Sequence, residues 1–243
     1  MKNIVLFVLF ILALVFFQFA TAQSVDEIIN QYVNARGGID KLNSVQSVSM
    51  EGTRQMMGSE VQVKVTKVEG KLFRTDFEFG GNAGYTIVTP EEGWSFIPMR
   101  SDKPSEIPAP VLKSMQSQLD ISGPLVNYKA KGYQAVLKGK ENINGAEAYN
   151  IQLTSADGKI VTYYIDTSTS LLAQVRQMSE AGRNGGGQPK EMIIDFKDYI
   201  DVDGIKFPQT ITTEGEGMGA GTMTFDKIEI NVPVDEKMYK PSN

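Results

Sequence analysis

The run Val61-Gln62-Val63-Lys64-Val65-Thr66, followed after a Glu69-Gly70 turn by Phe73-Arg74-Thr75-Asp76-Phe77-Glu78-Phe79-Gly80-Gly81-Asn82, decides the fold class. Apolar and polar residues alternate with period two through both segments. That is the signature of strands with one face buried and one wet, and the glycines between them mark tight turns. The same alternation extends outward in both directions. Upstream, Val48 and Met50 lead to a Gly58-Ser59 turn. Downstream come Tyr85 and Ile87, a turn from Pro90 to Gly93, then Trp94 and Phe96. Five consecutive strands with short turns predict an antiparallel meander.

The alternation then breaks at Pro98, Pro104, Pro108 and Pro110. Proline is at home in the first turn of a helix, so a short helix is predicted to begin near Pro110. Its apolar side carries Val111, Leu112, Met115 and Leu119. Strands resume near Tyr133 and run through Tyr149-Ile151-Leu153, Val161-Tyr163-Ile165, Leu171-Ala173-Val175, Met192-Ile194-Phe196, Ile205-Phe207-Ile211 and Met223-Phe225, with Asp157-Gly158 as a strong hairpin turn. The prediction is a mainly β protein of about eleven strands in one curved antiparallel sheet. A sheet that wide curls into an open half-barrel.

Two further elements precede the sheet. Met1-Lys2-Asn3, an apolar run from Ile4 to Phe19 and the small-residue pattern Ala20-Thr21-Ala22 predict a signal peptide cleaved after Ala22. That run is shorter than the roughly 20 residues a spanning helix needs. Residues 23–243 are then one exported domain, periplasmic or otherwise soluble beyond the membrane. Ser24 and Glu27 are spaced as a capping box, with Val25, Ile28, Ile29, Tyr32 and Val33 at helical spacing and Gly37-Gly38 as the stop.

Composition removes much chemistry. Among 243 residues there is no cysteine and no histidine, and the net charge is −5. No thiolate, no imidazole base and no His-ligated metal is available, and an acidic chain is a poor nucleic-acid binder. Asp201-Val202-Asp203-Gly204 begins like a calcium loop but has Thr212 where the bidentate Glu belongs, and reads as a turn. Glu91-Glu92 reads as a solvated turn. No cofactor, metal site or catalytic residue is expected, so the chain is read as a non-enzyme. What remains is an excess of apolar side chains expected on one face of the curved sheet: Phe73, Phe77, Phe79, Tyr85, Ile87, Trp94 and Phe96, with Leu112, Met115 and Leu119 on the inserted helix. Two short helices are too little to fill the inside of so wide a sheet, which points to an apolar cavity. Met50, Met56, Met57, Met99 and Met115 would suit a ligand of variable shape.

Thr89-Pro90-Glu91-Glu92-Gly93-Trp94-Ser95-Phe96-Ile97-Pro98 resembles the W-x-[YF]-x-P strand of the periplasmic lipoprotein carriers LolA and LolB. Tyr163-Tyr164-Ile165-Asp166 followed by Leu171-Leu172 resembles their second half. Ala35-Arg36-Gly37-Gly38-Ile39-Asp40-Lys41-Leu42 and Asp203-Gly204-Ile205-Lys206-Phe207-Pro208 are similar to exported lipoprotein-sorting-like proteins. The resemblance implies an open half-barrel whose helical lid covers a hydrophobic cavity. That cavity would shield acyl chains of a lipoprotein or lipid, passed on by an envelope membrane protein donor or acceptor, and the protein would work as a monomer. The ten apolar residues named above would line it. The family's lid arginine falls on no matching motif, and Arg54, Arg74 and Arg100 are candidates by residue type. The loops 182–189 and 214–221 are longer than a minimal carrier needs. The same fold also suits a sensor or scaffold that binds a protein partner.

Overall fold

The computed structural model describes residues 23–56, 58–178, 190–214 and 220–241. The expected signal peptide, Met57, the loop 182–189 and most of the tip 214–221 lie outside the described residues, as does the side chain of Met56. Helix α1 (Val25–Ala35) begins with both halves of the capping box in place: Glu27 N donates to Ser24 Oγ at 3.2 Å and Ser24 N donates to Glu27 Oε2 at 2.8 Å. After the Gly37-Gly38 stop, α2 (Ile39–Ser44) adds a short turn of helix.

Six strands follow: β1 (Ser47–Met56), β2 (Ser59–Val68), β3 (Leu72–Phe79), β4 (Asn82–Val88), β5 (Gly93–Phe96) and β6 (Ser105–Glu106). Helix α3 (Ala109–Met115) and a 3-10 turn (Gln116–Leu119) come next. The remaining strands are β7 (Gln134–Ile143), β8 (Ala146–Thr154), β9 (Ile160–Asp166), β10 (Leu172–Met178), β11 (Glu191–Val202), β12 (Ile205–Glu214) and β13 (Gly221–Ile230). All thirteen form one open antiparallel sheet in the order β6-β5-β4-β3-β2-β1-β13-β12-β11-β10-β9-β8-β7. The total exceeds the expected eleven. The shortest addition, β6, pairs Ser105 with Ser95 inside the proline-rich stretch, where the sequence shows no alternation.

The order explains the inserted helix. The chain starts at the centre of the sheet, steps out to the β6 edge, crosses to the β7 edge, and steps back until β13 pairs with β1. Residues 107–133 make that crossing, and they do so over one face of the sheet, here called the inner face. On the β7–β13 half and β1 that face is filled by α1 and by Leu125, Val126 and Tyr128 of the crossing segment. Ile28, Ile29 and Tyr32 of α1 are buried against Ile151, Ile165, Ile205, Phe225 and Val48, in the main core. On the β2–β5 half the inner face is covered by α3 and its 3-10 turn. Where β1 meets β13, a bulge places Gly52 opposite Phe225, and a Cβ there would lie 2.0 Å from Thr224 O. Only glycine permits that approach.

Candidate functional site

Cross-strand pairs share a face, so the register sorts the apolar residues. Val65 pairs with Thr75, Val63 with Phe77, and Phe77 with Gly84. Phe73, Phe77 and Phe79 therefore lie on the inner face with Val61, Val63 and Val65. Asp76 pairs with Tyr85, Ile87 with Trp94, and Tyr85 with Phe96. Tyr85, Ile87, Trp94 and Phe96 thus lie on the outer face, where they cluster with Leu72 beneath Val234, Met238 and Tyr239 of the C-terminal segment. The structure does not bring the seven sheet residues together. It divides them between two faces, three and four.

Of the three inner phenylalanines, Phe73 meets the inserted helix. Leu112 and Leu119 are buried with Val88 and Ile107, and Phe73, Val111 and Met115 pack against them. This cluster is small and distinct from the main core, with Phe73 touching both. Gly93 makes the close fit possible: a Cβ there would stand 2.8 Å from Leu112 Cδ1, so the leucine rests on the β5 backbone. Phe77 and Phe79 are half-buried further along β3. From Phe73 to Phe79 the strand runs about 20 Å at roughly 3.4 Å per residue, an apolar track that begins under the helix.

The helix is tied down mainly at its C-terminal side. Gly70 N donates to Leu119 O at 2.9 Å, and Ile121 N donates to Glu69 Oε2 at 2.8 Å. Arg36, buried at the C-cap of α1, donates from Nη1 to Ser122 O at 2.8 Å. At the N-terminal side Ile107 N donates to Gly93 O at 2.8 Å, and α3 has no side-chain cap. The arginine that holds backbone next to this helix is thus Arg36. Of the three candidates by type, Arg54 reaches Ala220 O from the inner face, Arg74 reaches Met238 O on the outer face, and Arg100 is exposed. Arg36 was part of the quoted Arg-Gly-Gly motif. Its signal was a cation beside the carbonyl end of a helix.

One inner-face cation also escaped the sequence reading. Val61, Val63 and Val65 set the inward phase of β2, and the next residue in that phase is Lys67, paired with Val48 and Phe73. Its Nζ lies 5.4 Å from the Phe73 ring centroid and donates to Gln118 Oε1 at 3.3 Å. Burial depresses its pKa to about 8, with Asp120 and Glu69 pulling the other way.

The outer face holds a groove of about 870 Å³ over β1–β5, walled by Pro104 and Pro241. Its floor is the Tyr85–Phe96 ring pair, with centroids 5.6 Å apart. Its sides are charged: Glu51 pairs with Lys64 at 2.6 Å, and Arg74 donates to the Asp76 carboxylate at 2.7–2.9 Å. Elsewhere, Asp201 accepts from Gly204 N at 2.7 Å in the β11–β12 hairpin, and Glu91 and Glu92 stand in the β4–β5 turn. Among the described residues no cluster of acidic side chains could hold a metal. Met50 packs on the main core, Met115 on the cluster beneath α3, and Met99 is 63% exposed.

No protein-family model matches the sequence, and no curated protein matches it. Solved structures do. A LolA superfamily protein from Nitrosomonas europaea is 13% identical with a TM-score of 0.56, over 90% of this chain and 99% of that one. A DUF1329 family protein from Desulfovibrio piger is 15% identical with a TM-score of 0.51, over 89% and 97%. An outer membrane lipoprotein-sorting protein domain from Vibrio parahaemolyticus is 13% identical with a TM-score of 0.51, over 88% and 94%. The chain has the LolA-like fold, as the motifs around Trp94 and Tyr163 imply. No helix among the described residues is long and apolar enough to cross a membrane.

Proposed function

We propose that residues 23–243 form an exported, monomeric lipid carrier, released from its signal peptide after Ala22, that takes acyl chains between α3 and the inner face of β2–β5. The observation that carries this reading is the separateness of the lid cluster. Withdrawing Leu112 and Leu119 from the sheet costs about 3–6 kcal/mol, at roughly 1.5–3 kcal/mol per buried leucine. A chain of about sixteen methylenes gains on the order of 12 kcal/mol on burial, at about 0.8 kcal/mol each. A bound chain therefore offsets the opening of the lid while the main core stays closed. Phe73, Phe77 and Phe79 would contact the chain from the sheet, and Leu112, Met115 and Leu119 from the lid. Tyr85, Ile87, Trp94 and Phe96 would take no part, because they face the other way. Transfer would end at an envelope membrane protein or the bilayer itself.

The test is native mass spectrometry of residues 23–243 purified from a cell envelope and then offered acylated lipids. The carrier reading expects an acylated species bound to the wild type and lost in Phe77→Asp and Leu112→Asp variants that retain the wild-type circular dichroism. A chain that stays ligand-free with every lipid offered contradicts it. That result would favour the second reading, a sensor or scaffold, whose partner would be a polypeptide seated in the charged outer groove.

A further inference from the structure

We infer that Lys67 is the anchor for an anionic head group, so that the cargo is a lipid with a carboxylate or phosphate next to its chains. The inference rests on the carrier reading and names the substrate class of that site. An ammonium has three donors, and among the described residues the Lys67 ammonium makes one hydrogen bond, to Gln118 Oε1 at 3.3 Å. No carboxylate of the described residues lies within ion-pair distance of it.

The neighbouring charges are committed elsewhere. Glu69, in the β2–β3 turn, accepts from Ile121 N. Asp120, after the lid, accepts from Ser122 Oγ and Gly123 N and pairs with Lys131 at 2.7 Å. Arg36 of α1 is spent on Ser122 O and Tyr32 Oη. A partly buried cation beside an aromatic ring, with one protein acceptor for its three donors, has donors left for an anionic ligand.

The position of Gln118 supplies the link to the lid. Its amide oxygen belongs to the 3-10 turn that continues α3. When the lid swings away, that oxygen leaves with it, and the ammonium faces the opened track at the Phe73 end. An anionic oxygen on the lipid head takes its place while the chain runs along Phe73, Phe77 and Phe79. The closed lid and the head group are thus alternative partners of one cation. Arg54 stands on the same face at the far end of β1, where its guanidinium donates to Ala220 O, and it serves as the control.

The experiment measures binding of matched lipids to residues 23–243: palmitate against methyl palmitate, and dipalmitoyl phosphatidic acid against dipalmitoylglycerol, with inorganic phosphate alone as competitor. Wild type is expected to prefer each charged member at least tenfold. Lys67→Met should bind the uncharged members as wild type does and lose the preference, Lys67→Arg should keep it, and Arg54→Met should keep it. Inorganic phosphate should not displace the lipids. Equal binding of charged and uncharged members by wild type, a preference that survives in Lys67→Met, a preference lost in Arg54→Met, or displacement by phosphate overturns the anchor and leaves the carrier standing. Binding of none of the four lipids overturns the carrier itself.

Discussion

Lys67 carries a cost in the folded protein that should be measurable without any ligand. The unfolded chain holds this lysine near 10.5, and the folded chain near 8 because of burial. Between those values the unfolded state binds more protons, so the contribution of Lys67 to stability rises with pH through that window. Below pH 8 the full cost is present. Lys67→Met keeps an unbranched stem of similar reach and removes the charge. Denaturant titrations should find it more stable than wild type at pH 7, with the advantage shrinking as pH rises from 8 towards 10.5. A variant that is less stable at every pH would show that the lysine is already paired. The lysine was visible in the sequence as the residue that continues the phase of Val61, Val63 and Val65. A charged residue after three valines reads as the wet end of a strand, so the phase alone does not mark it as a site.

At the scale of elements, the strands were legible and their faces only partly so. Alternation marks Phe73-Phe77-Phe79 and Tyr85-Ile87 as two apolar rows, but it does not say that they share a face. That depends on the hairpin. The two-residue Gly80-Gly81 turn pairs Phe79 with Asn82, so odd positions of β3 lie with even positions of β4, and the second row points outward. The turn from β4 to β5 repeats the switch, pairing Val88 with Gly93. Parity across each turn was therefore the missing signal. The helix boundaries were better marked, because Ser24, Glu27 and the Gly37-Gly38 pair act locally. Gly52 provides a test of the seam between β1 and β13. Gly52→Ala forces a Cβ against Thr224 O and the Phe225 Cα at 2.7 Å. It should cost on the order of 1–3 kcal/mol as overpacking, read as a lower midpoint in urea. An unchanged midpoint would mean that the seam relaxes without strain.

Across the whole molecule, the division of labour between the two halves of the sheet follows from the path of the chain. Because β1 and β13 sit side by side at the centre, the link from β6 to β7 has to span the sheet. Its second part joins α1 in the main core, and its first part is held by the small cluster around Leu112 and Leu119. The sequence reading reached a curved sheet with too little helix to fill it. It could not tell which half was left thinly covered, since that depends on contacts between α1 and strands more than a hundred residues away. On the proposed reading acyl chains enter on the inner face beneath α3, although a groove of about 870 Å³ lies on the outer face. The most direct measurement is photolabelling of residues 23–243 with a long-chain fatty acid bearing a diazirine on its tail, with the modified residues located by tandem mass spectrometry. Labels on Phe73, Phe77 or Phe79 together with Leu112 or Met115 are the predicted result. Labels confined to Tyr85, Phe96 and Pro104 would place the chain in the outer groove and contradict the account.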